Sequence, residues 1–302
     1  MTLPLQENLI GIATAPADCV NDPVKDRLVH EIIRQVAGTA WLEDDHVVPE
    51  FLKHYKNWIN STSINKVHGL DTFPSVQYSQ GTTESFDKFY LRNHSRRFRC
   101  YRGEYLYHEL SWKANGNNWA YIDDEPLAVG DAVVCSFPFA DTGNQKHTKE
   151  FLDNCAKLGI PVLFDCAFFG ICSDHNFDFG HPAITDVCFS LSKPFPVYGM
   201  RVGIRFSRDT VDGLNIYGNT HYVNKFGAAV GLRLFAHQSP DEIYNNYRAQ
   251  QVEWCKQYDL VPSQCVTFGL DYNHKYDNHN RGSADSNRIC FAKFFNKGHL
   301  PL

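Results

Sequence analysis

Residues 187–203 read VCFSLSKPFPVYGMRVG. A strand-like apolar run delivers Ser190, Ser192 and Lys193 in close succession, and Arg201 returns after a turn closed by Gly199. A lysine amine that emerges from a buried strand is poorly solvated, and a desolvated amine attacks carbonyl carbon readily. Ser190 and Ser192 add hydroxyl donors, and the planar guanidinium of Arg201 offers the paired donors that suit a phosphate. Taken singly, a Lys or an Arg is most often a solvated surface charge, so the surroundings decide.

Upstream, Pro161-Val162-Leu163-Phe164 is a buried-strand pattern that ends in Asp165. Ligand sites of open parallel sheets lie outside the carboxyl ends of the strands, although an Asp there also serves as a turn former or helix cap. Earlier still, Val76–Ser79 leads into Gly81-Thr82-Thr83-Glu84 and a helical run through Phe86, Phe89, Tyr90 and Leu91. Free amides at a helix start, two hydroxyls and a permissive glycine make an anion site, or an ordinary capped helix.

The elements that must position these groups are readable. Asp22-Pro23 followed by Val24, Leu28, Ile32 and Val36, then Gly38, predicts a capped amphipathic helix. A second is expected from Pro49 through Phe51, Leu52, Tyr55, Trp58 and Ile59. From about Pro74, apolar runs at 133–137, 161–164, 187–191 and 201–206 interleave with helical stretches such as 148–158. That alternation predicts βαβ units around a largely parallel sheet, an α/β fold. Helices at 222–236 and 240–258, with strands at 266–270 and 289–295, predict a small α+β domain. The expected division is 1–60, an N-terminal helical segment, 61–210, the large domain, and 211–302, the small one. The stretch 271–286, rich in Asn, Asp, His and Gly, reads as a mobile surface loop.

The 302 residues are 43% apolar and 21% charged, which excludes disordered and low-complexity classes. Net charge is −5 and the basic residues are scattered apart from Arg96, Arg97, Arg99 and Arg102, so no nucleic-acid partner is expected. No apolar run is long enough to span a membrane; the best, 226–236, is broken by Gly231 and Arg233. The first basic residue is Lys25, so no positively charged leader is read at the start, and a cytoplasmic location is expected. Ten cysteines without a CxxC pair read as reduced, mostly buried thiols. His274 and His279 with Asp271 and Asp277, or His147, His175 and His181, are the only metal candidates, and histidines on a polar loop are usually solvated, so no metal is expected.

Together these pieces resemble the fold-type I pyridoxal-phosphate (PLP) enzymes, the aspartate and histidinol-phosphate aminotransferase group. The match covers residues 77–206, most strongly Ser190-Leu191-Ser192-Lys193 followed by Gly199-Met200-Arg201-Val202-Gly203. The resemblance implies a three-layer large domain plus a small α+β domain. It implies that Lys193 forms the Schiff base with PLP, that Asp165 pairs with the pyridinium nitrogen, and that Ser190, Ser192, Arg201 and the Gly81-Thr82-Thr83 turn bind the cofactor around its phosphate. Residues 99–107, RCYRGEYLY, fall where an aromatic ring stacks on the cofactor, which makes Tyr105 or Tyr107 the expected stacker. Arg288 falls where an arginine meets the substrate α-carboxylate. Homodimers are usual in the group, and Tyr55 and Trp58 are either core aromatics or contributors to a neighbour's site.

Two positions depart from the pattern. Residues 136–143, SFPFADTG, put Ala140 where an Asn would donate to the cofactor's phenolic oxygen, and Phe168 stands where a Tyr would reach the same oxygen. Ser136 or Thr142 is the available substitute. Arg99 or Arg102 is either a recogniser of acidic substrates or a surface charge.

The expected activity is therefore a PLP-dependent aminotransferase acting between an amino acid and a 2-oxo acid. The alternative is a PLP-dependent lyase, decarboxylase or cyclase, because fold and cofactor do not choose the bond that breaks. A nucleotide-binding protein lacks GxGxxG and Walker motifs, and a serine hydrolase lacks GxSxG.

Overall fold

In the computed structural model, residues 19–295 are described, apart from 21, 42–43, 211–214 and 282–284. The stretch before Cys19, on which the leader argument rests, lies outside the described residues, as does part of the 271–286 loop. Helix α1, Pro23–Ala37, starts on Asp22, whose Oδ1 accepts from Val24 N at 2.9 Å and Lys25 N at 3.2 Å. Its buried stripe keeps the expected Ile32 and Val36 but runs through Lys25 and Val29 in place of Val24 and Leu28, and Val24 is exposed. Helix α2, Val47–Asn60, begins two residues before Pro49, which the first helical turn tolerates because its amide lacks an intrahelical partner. Tyr55 and Trp58 are core aromatics, and the Trp58 indole donates to Gln238 O at 2.7 Å.

The strands and helices that follow are β1 (Lys66–His68), β2 (Ser75–Gln80), α3 (Thr83–Arg92), β3 (Arg97–Cys100), α4 (Tyr107–Ala114), β4 (Trp119–Tyr121) and β5 (Asp131–Ser136). Then come α5 (Lys149–Lys157), β6 (Val162–Asp165), β7 (Asn176–Asp178), β8 (Ile184–Ser190) and β9 (Val202–Ser207). Seven of these strands form one sheet in the order β2-β9-β8-β6-β5-β3-β4. Only β9 is antiparallel to its neighbours. β1 pairs with β7 separately.

Alternation along the central strands explains three layers, because successive side chains of a strand face opposite ways. Ala132, Val134, Leu163 and Cys188 pack with Phe86, Phe89, Tyr90 and Trp112 of α3 and α4 on one face. Val133, Cys135, Val162, Phe164, Val187 and Phe189 join the larger cluster on the other.

The remaining elements are α6 (Ile216–Asn219), α7 (Lys225–His237), α8 (Glu242–Tyr258), β10 (Val261–Pro262), β11 (Phe268–Asp271) and β12 (Asn287–Cys290). The last three make an antiparallel sheet. Helix α7 starts at Lys225 rather than Tyr222 because Asn224 Oδ1 caps it, accepting from Gly227 N at 2.8 Å. At Gly231 a Cβ would lie 2.5 Å from Phe51, so α2 and α7 cross at glycine distance. β12 ends at Cys290, short of the expected Phe295, because the chain turns over 292–295. Of the ten cysteines, eight are buried, and Cys19 and Cys290 are partly exposed. Among the described residues no helix is long and apolar enough to cross a membrane.

Candidate active site

Strand β2 delivers the chain to Gly81, whose φ of +65° lets it turn sharply into α3. Glu84 reaches back to accept from Gln80 N at 2.6 Å, tightening that turn. Arg201, itself left-handed at φ +55°, arrives opposite: its carbonyl accepts from Gly81 N and from the Tyr78 hydroxyl, both at 3.1 Å. Its Nη2 donates to Thr83 Oγ1 at 2.9 Å and lies against the turn so closely that a Cβ at Gly81 would come within 2.4 Å. At the end of β8, Ser190 shares a hydrogen bond of 2.6 Å with Ser192 just beyond it. The sequence-predicted Gly81, Thr83 and Arg201 thus meet in one cradle of cation, hydroxyl and backbone amides.

Asp165 ends β6 and is buried. Its Oδ1 accepts from Ala167 N at 3.0 Å. Burial pushes its carboxyl from 3.8 up to about 7, against the opposing Ala167 amide, the Lys193 charge and a hydrogen bond from Thr82. Thr82 is therefore bonded to Asp165, and the Lys193 charge bears on the same carboxyl. Lys193 Nζ stands 5.4 Å from the centre of the Phe168 ring, so an apolar surface lines the amine where a phenol had been the alternative.

Behind Phe168 lies Phe268, at 5.3 Å between ring centres, and the Arg288 guanidinium covers Phe268 at 4.2 Å. Arg288 Nη1 donates to Ala140 O at 2.6 Å. Arg288 thus reaches the loop after β5 and shares with Lys193 a wall of phenylalanine rings.

Other expectations fall differently. Tyr105 is 37% exposed, with ring contacts to Tyr107 and His108, and Tyr107 donates its hydroxyl to Asp87 Oδ1 at 2.8 Å. Ser136 has its hydroxyl and amide committed to Glu104, and Thr142 Oγ1 accepts from Asn144 N at 3.2 Å. Arg99 is no recogniser of acidic substrates: it is fully buried, bound to Asp131 Oδ2 at 2.5 Å and to the carbonyls of Ala120, Tyr121, Glu125 and Pro126. Arg102 pairs with Asp124 at 2.6 Å and lies over the Tyr121 ring.

Sequence reasoning missed Glu104. It sits in RCYRGEYLY, where a charge next to Gly103 reads as surface, yet the side chain is buried under the end of β5. The available signal was its place just past the carboxyl end of β3, among aromatics. Burial pushes its carboxyl from 4.5 up to about 7, with Ser136 hydrogen bonds and Lys146 pulling down and Asp165 adding to the rise.

The donor set fits PLP. A glycine turn that a single Cβ would fill is the cradle a phosphate needs, and a buried carboxyl that feels the charge of a lysine amine suits a pyridinium nitrogen and an aldehyde. Among the described residues no group of three or more His, Cys, Asp or Glu is placed to hold a metal ion.

No family model and no curated protein matches the chain. Solved structures do. An aminotransferase from Staphylococcus aureus is 13% identical over 93% of this chain and 90% of its own, with a TM-score of 0.66. The histidinol-phosphate aminotransferase from Clostridium acetobutylicum is 12% identical over 93% and 94%, at 0.60. A Clostridium difficile 630 structure described as a PLP-bound aminotransferase is 11% identical over 88% and 84%, at 0.65. At such identities the likeness establishes the fold: an α/β chain with the architecture of fold-type I aminotransferases.

Proposed function

We propose that this chain, built on the aminotransferase fold, is a PLP-dependent aminotransferase that moves an amino group between an amino acid and a 2-oxo acid. The observation that carries the reading is the meeting of Lys193 and Asp165 with the Gly81–Thr83–Arg201 cradle at the carboxyl edge of one sheet. Bound PLP supplies an aldehyde that condenses with amines and a ring that withdraws electrons from the substrate's α-carbon. Lys193 Nζ would hold that aldehyde, and its amine would take and return the proton at the substrate's α-carbon. Asp165 pairs with the ring nitrogen. Arg201, Thr83, the first amides of α3 and the Ser190–Ser192 hydroxyl pair would hold the phosphate, and Phe168 would keep water from the Lys193 amine. Arg288 fixes the substrate carboxylate with its paired donors, and Tyr105 or Tyr107 flanks the ring. A homodimer, on the strength of the resemblance, and a cytoplasmic location and the domain division at 60 and 210, as read from the sequence, belong to the same proposal.

A PLP-dependent lyase, decarboxylase or cyclase is the second reading. It is favoured by one observation: Phe168 and Ala140 carry no donor, and the Ser136 hydroxyl is spent on Glu104. Two measurements test the proposal. The PLP-loaded protein should show an imine absorbance band whose borohydride adduct maps to Lys193. Equimolar transfer of amine to a 2-oxo acid selects aminotransferase, and release of ammonia or carbon dioxide selects the second reading. A chain that takes up no PLP sinks both.

A further inference from the structure

Glu104 has no part in that reading, yet its carboxyl is held in the site. Ser136 N donates to its Oε1 at 2.9 Å, and the Ser136 hydroxyl donates to its Oε2. Ser136 and Asp165 are register partners on the parallel strands β5 and β6, and Phe137 N donates to the Asp165 carbonyl at 2.9 Å. Register partners on neighbouring strands stand about 4.8 Å apart and point to the same face. Glu104 therefore hangs from the hydroxyl next to the Asp165 carboxyl.

The groups around Glu104 leave its charge almost unopposed. His147 Nε2 is 4.0 Å from Oε1, but burial holds the imidazole at about 3, so it is neutral and gives its Nε2–H to Ser136 O at 3.1 Å. Cys100, Cys135 and Tyr101 are kept protonated by burial. Lys146 acts from outside, its amine 4.2 Å from the centre of the Tyr101 ring.

We propose, on the basis of the PLP reading, that Glu104 is a positioning residue for Asp165: the two buried carboxyls share one negative charge, and with PLP in place Asp165 carries it. Two carboxylates packed into one buried site do not both ionise easily, and the coupling between them is mutual. The charge of Lys193 bears on Asp165 and favours ionisation there. The step is a proton transfer alone. The O–H bond on Asp165 breaks, one forms on Glu104, and the net charge of the pair is unchanged. The mutual repulsion raises both midpoints, so Glu104 sets the pH at which Asp165 becomes an ionised partner for the ring nitrogen, and with it the acid limit of PLP binding.

The test is a carboxyl titration of the full PLP-free chain carrying ¹³C-labelled Asp and Glu, read by NMR in wild type, Glu104→Gln and Asp165→Asn. Glu104→Gln should lower the Asp165 midpoint by roughly 1 pH unit or more, and Asp165→Asn should do the same to Glu104. If one variant does not fold, the other gives the same reading. Midpoints that stay in place overturn the proposal. PLP affinity as a function of pH is then compared, and its acid limb should move down by roughly 1 pH unit in Glu104→Gln. An unmoved limb with coupled carboxyls overturns the positioning role. A wild type that binds no PLP overturns the cofactor reading and, with it, this role, while the NMR titration stands as a separate result.

Discussion

The Arg201 guanidinium and the Thr83 hydroxyl meet at 2.9 Å although 118 residues separate them in the chain. The contact closes over Gly81, so one glycine sets the geometry of the cradle. Gly81→Ala would place a methyl group 2.4 Å from Arg201 Nη2 and force a side chain into φ +65°. A left-handed residue costs about 1–2 kcal/mol. We expect a stability loss of that order in urea unfolding, and a larger proportional loss of PLP affinity, because Arg201 must move away. An affinity loss no greater than the stability loss would remove the cradle from phosphate binding.

Asp165 makes stability depend on pH in a stated direction. Its folded carboxyl titrates at about 7 against an ordinary 3.8, so the folded chain retains a proton that the unfolded chain releases between those values. The resulting stabilisation is full below the ordinary value and is lost as pH rises through about 7. In the PLP-free protein, the stability of wild type relative to Asp165→Asn should therefore fall between about pH 4.5 and about pH 7.5. The buried histidines titrate in both proteins and cancel, while the lower Glu104 midpoint of Asp165→Asn adds to the fall. A difference that rises over this interval would contradict the burial of an uncompensated carboxyl.

Arg99 is a structural residue. Removing it takes a buried cation from Asp131, which keeps Arg97 Nε at 2.9 Å, and strips a donor from the carbonyls of Ala120, Tyr121, Glu125 and Pro126. Breaking a buried ion pair costs about 3–5 kcal/mol when the remaining charge has no other partner; with Arg97 still on Asp131, Arg99→Ala should lose at most about 3 kcal/mol in denaturant unfolding. Its discrimination between acidic and neutral amino substrates should match wild type.

Arg288 should behave as a substrate contact. Arg288→Lys keeps a charge but loses the planar pair of donors, and a charge-assisted hydrogen bond is worth about 1.5–3 kcal/mol. We expect KM for the amino substrate to rise roughly tenfold or more with PLP affinity unchanged. A fall in PLP affinity would instead make Arg288 part of the cofactor pocket through its contact with Ala140.

Much of this was legible in the sequence because it is local. Lys193, Ser190, Ser192 and Arg201 lie on one strand-turn-strand segment, Gly81–Thr83 on one turn, and Asp165 at the end of one apolar run, so local pattern singles them out as candidates, while their cofactor roles rest on the family resemblance. The helices at 23–37 and 242–258 were announced by periodicity, with a register error at Val24, which carries the right polarity on the wrong side of the stripe. Glu104 was not legible. What makes it a site residue is Ser136, 32 positions away, and no local pattern encodes a contact between strand ends. Arg99 misled for the same reason, since its partners come from the next strand and loop. The 271–286 stretch has loop composition, yet Asp271 ties it down, accepting from Asn273 N, Tyr276 N and Asn287 Nδ2.

The burial of eight cysteines gives the chain a built-in reporter. In the native state a maleimide reagent should meet only Cys19 and Cys290, while Cys135, Cys155 and Cys188 become reactive when the layers of the central sheet part. Pulse alkylation followed by peptide mapping would therefore time the opening of each face separately. It would also show, without any assay of turnover, whether a ligand clamps the sheet shut.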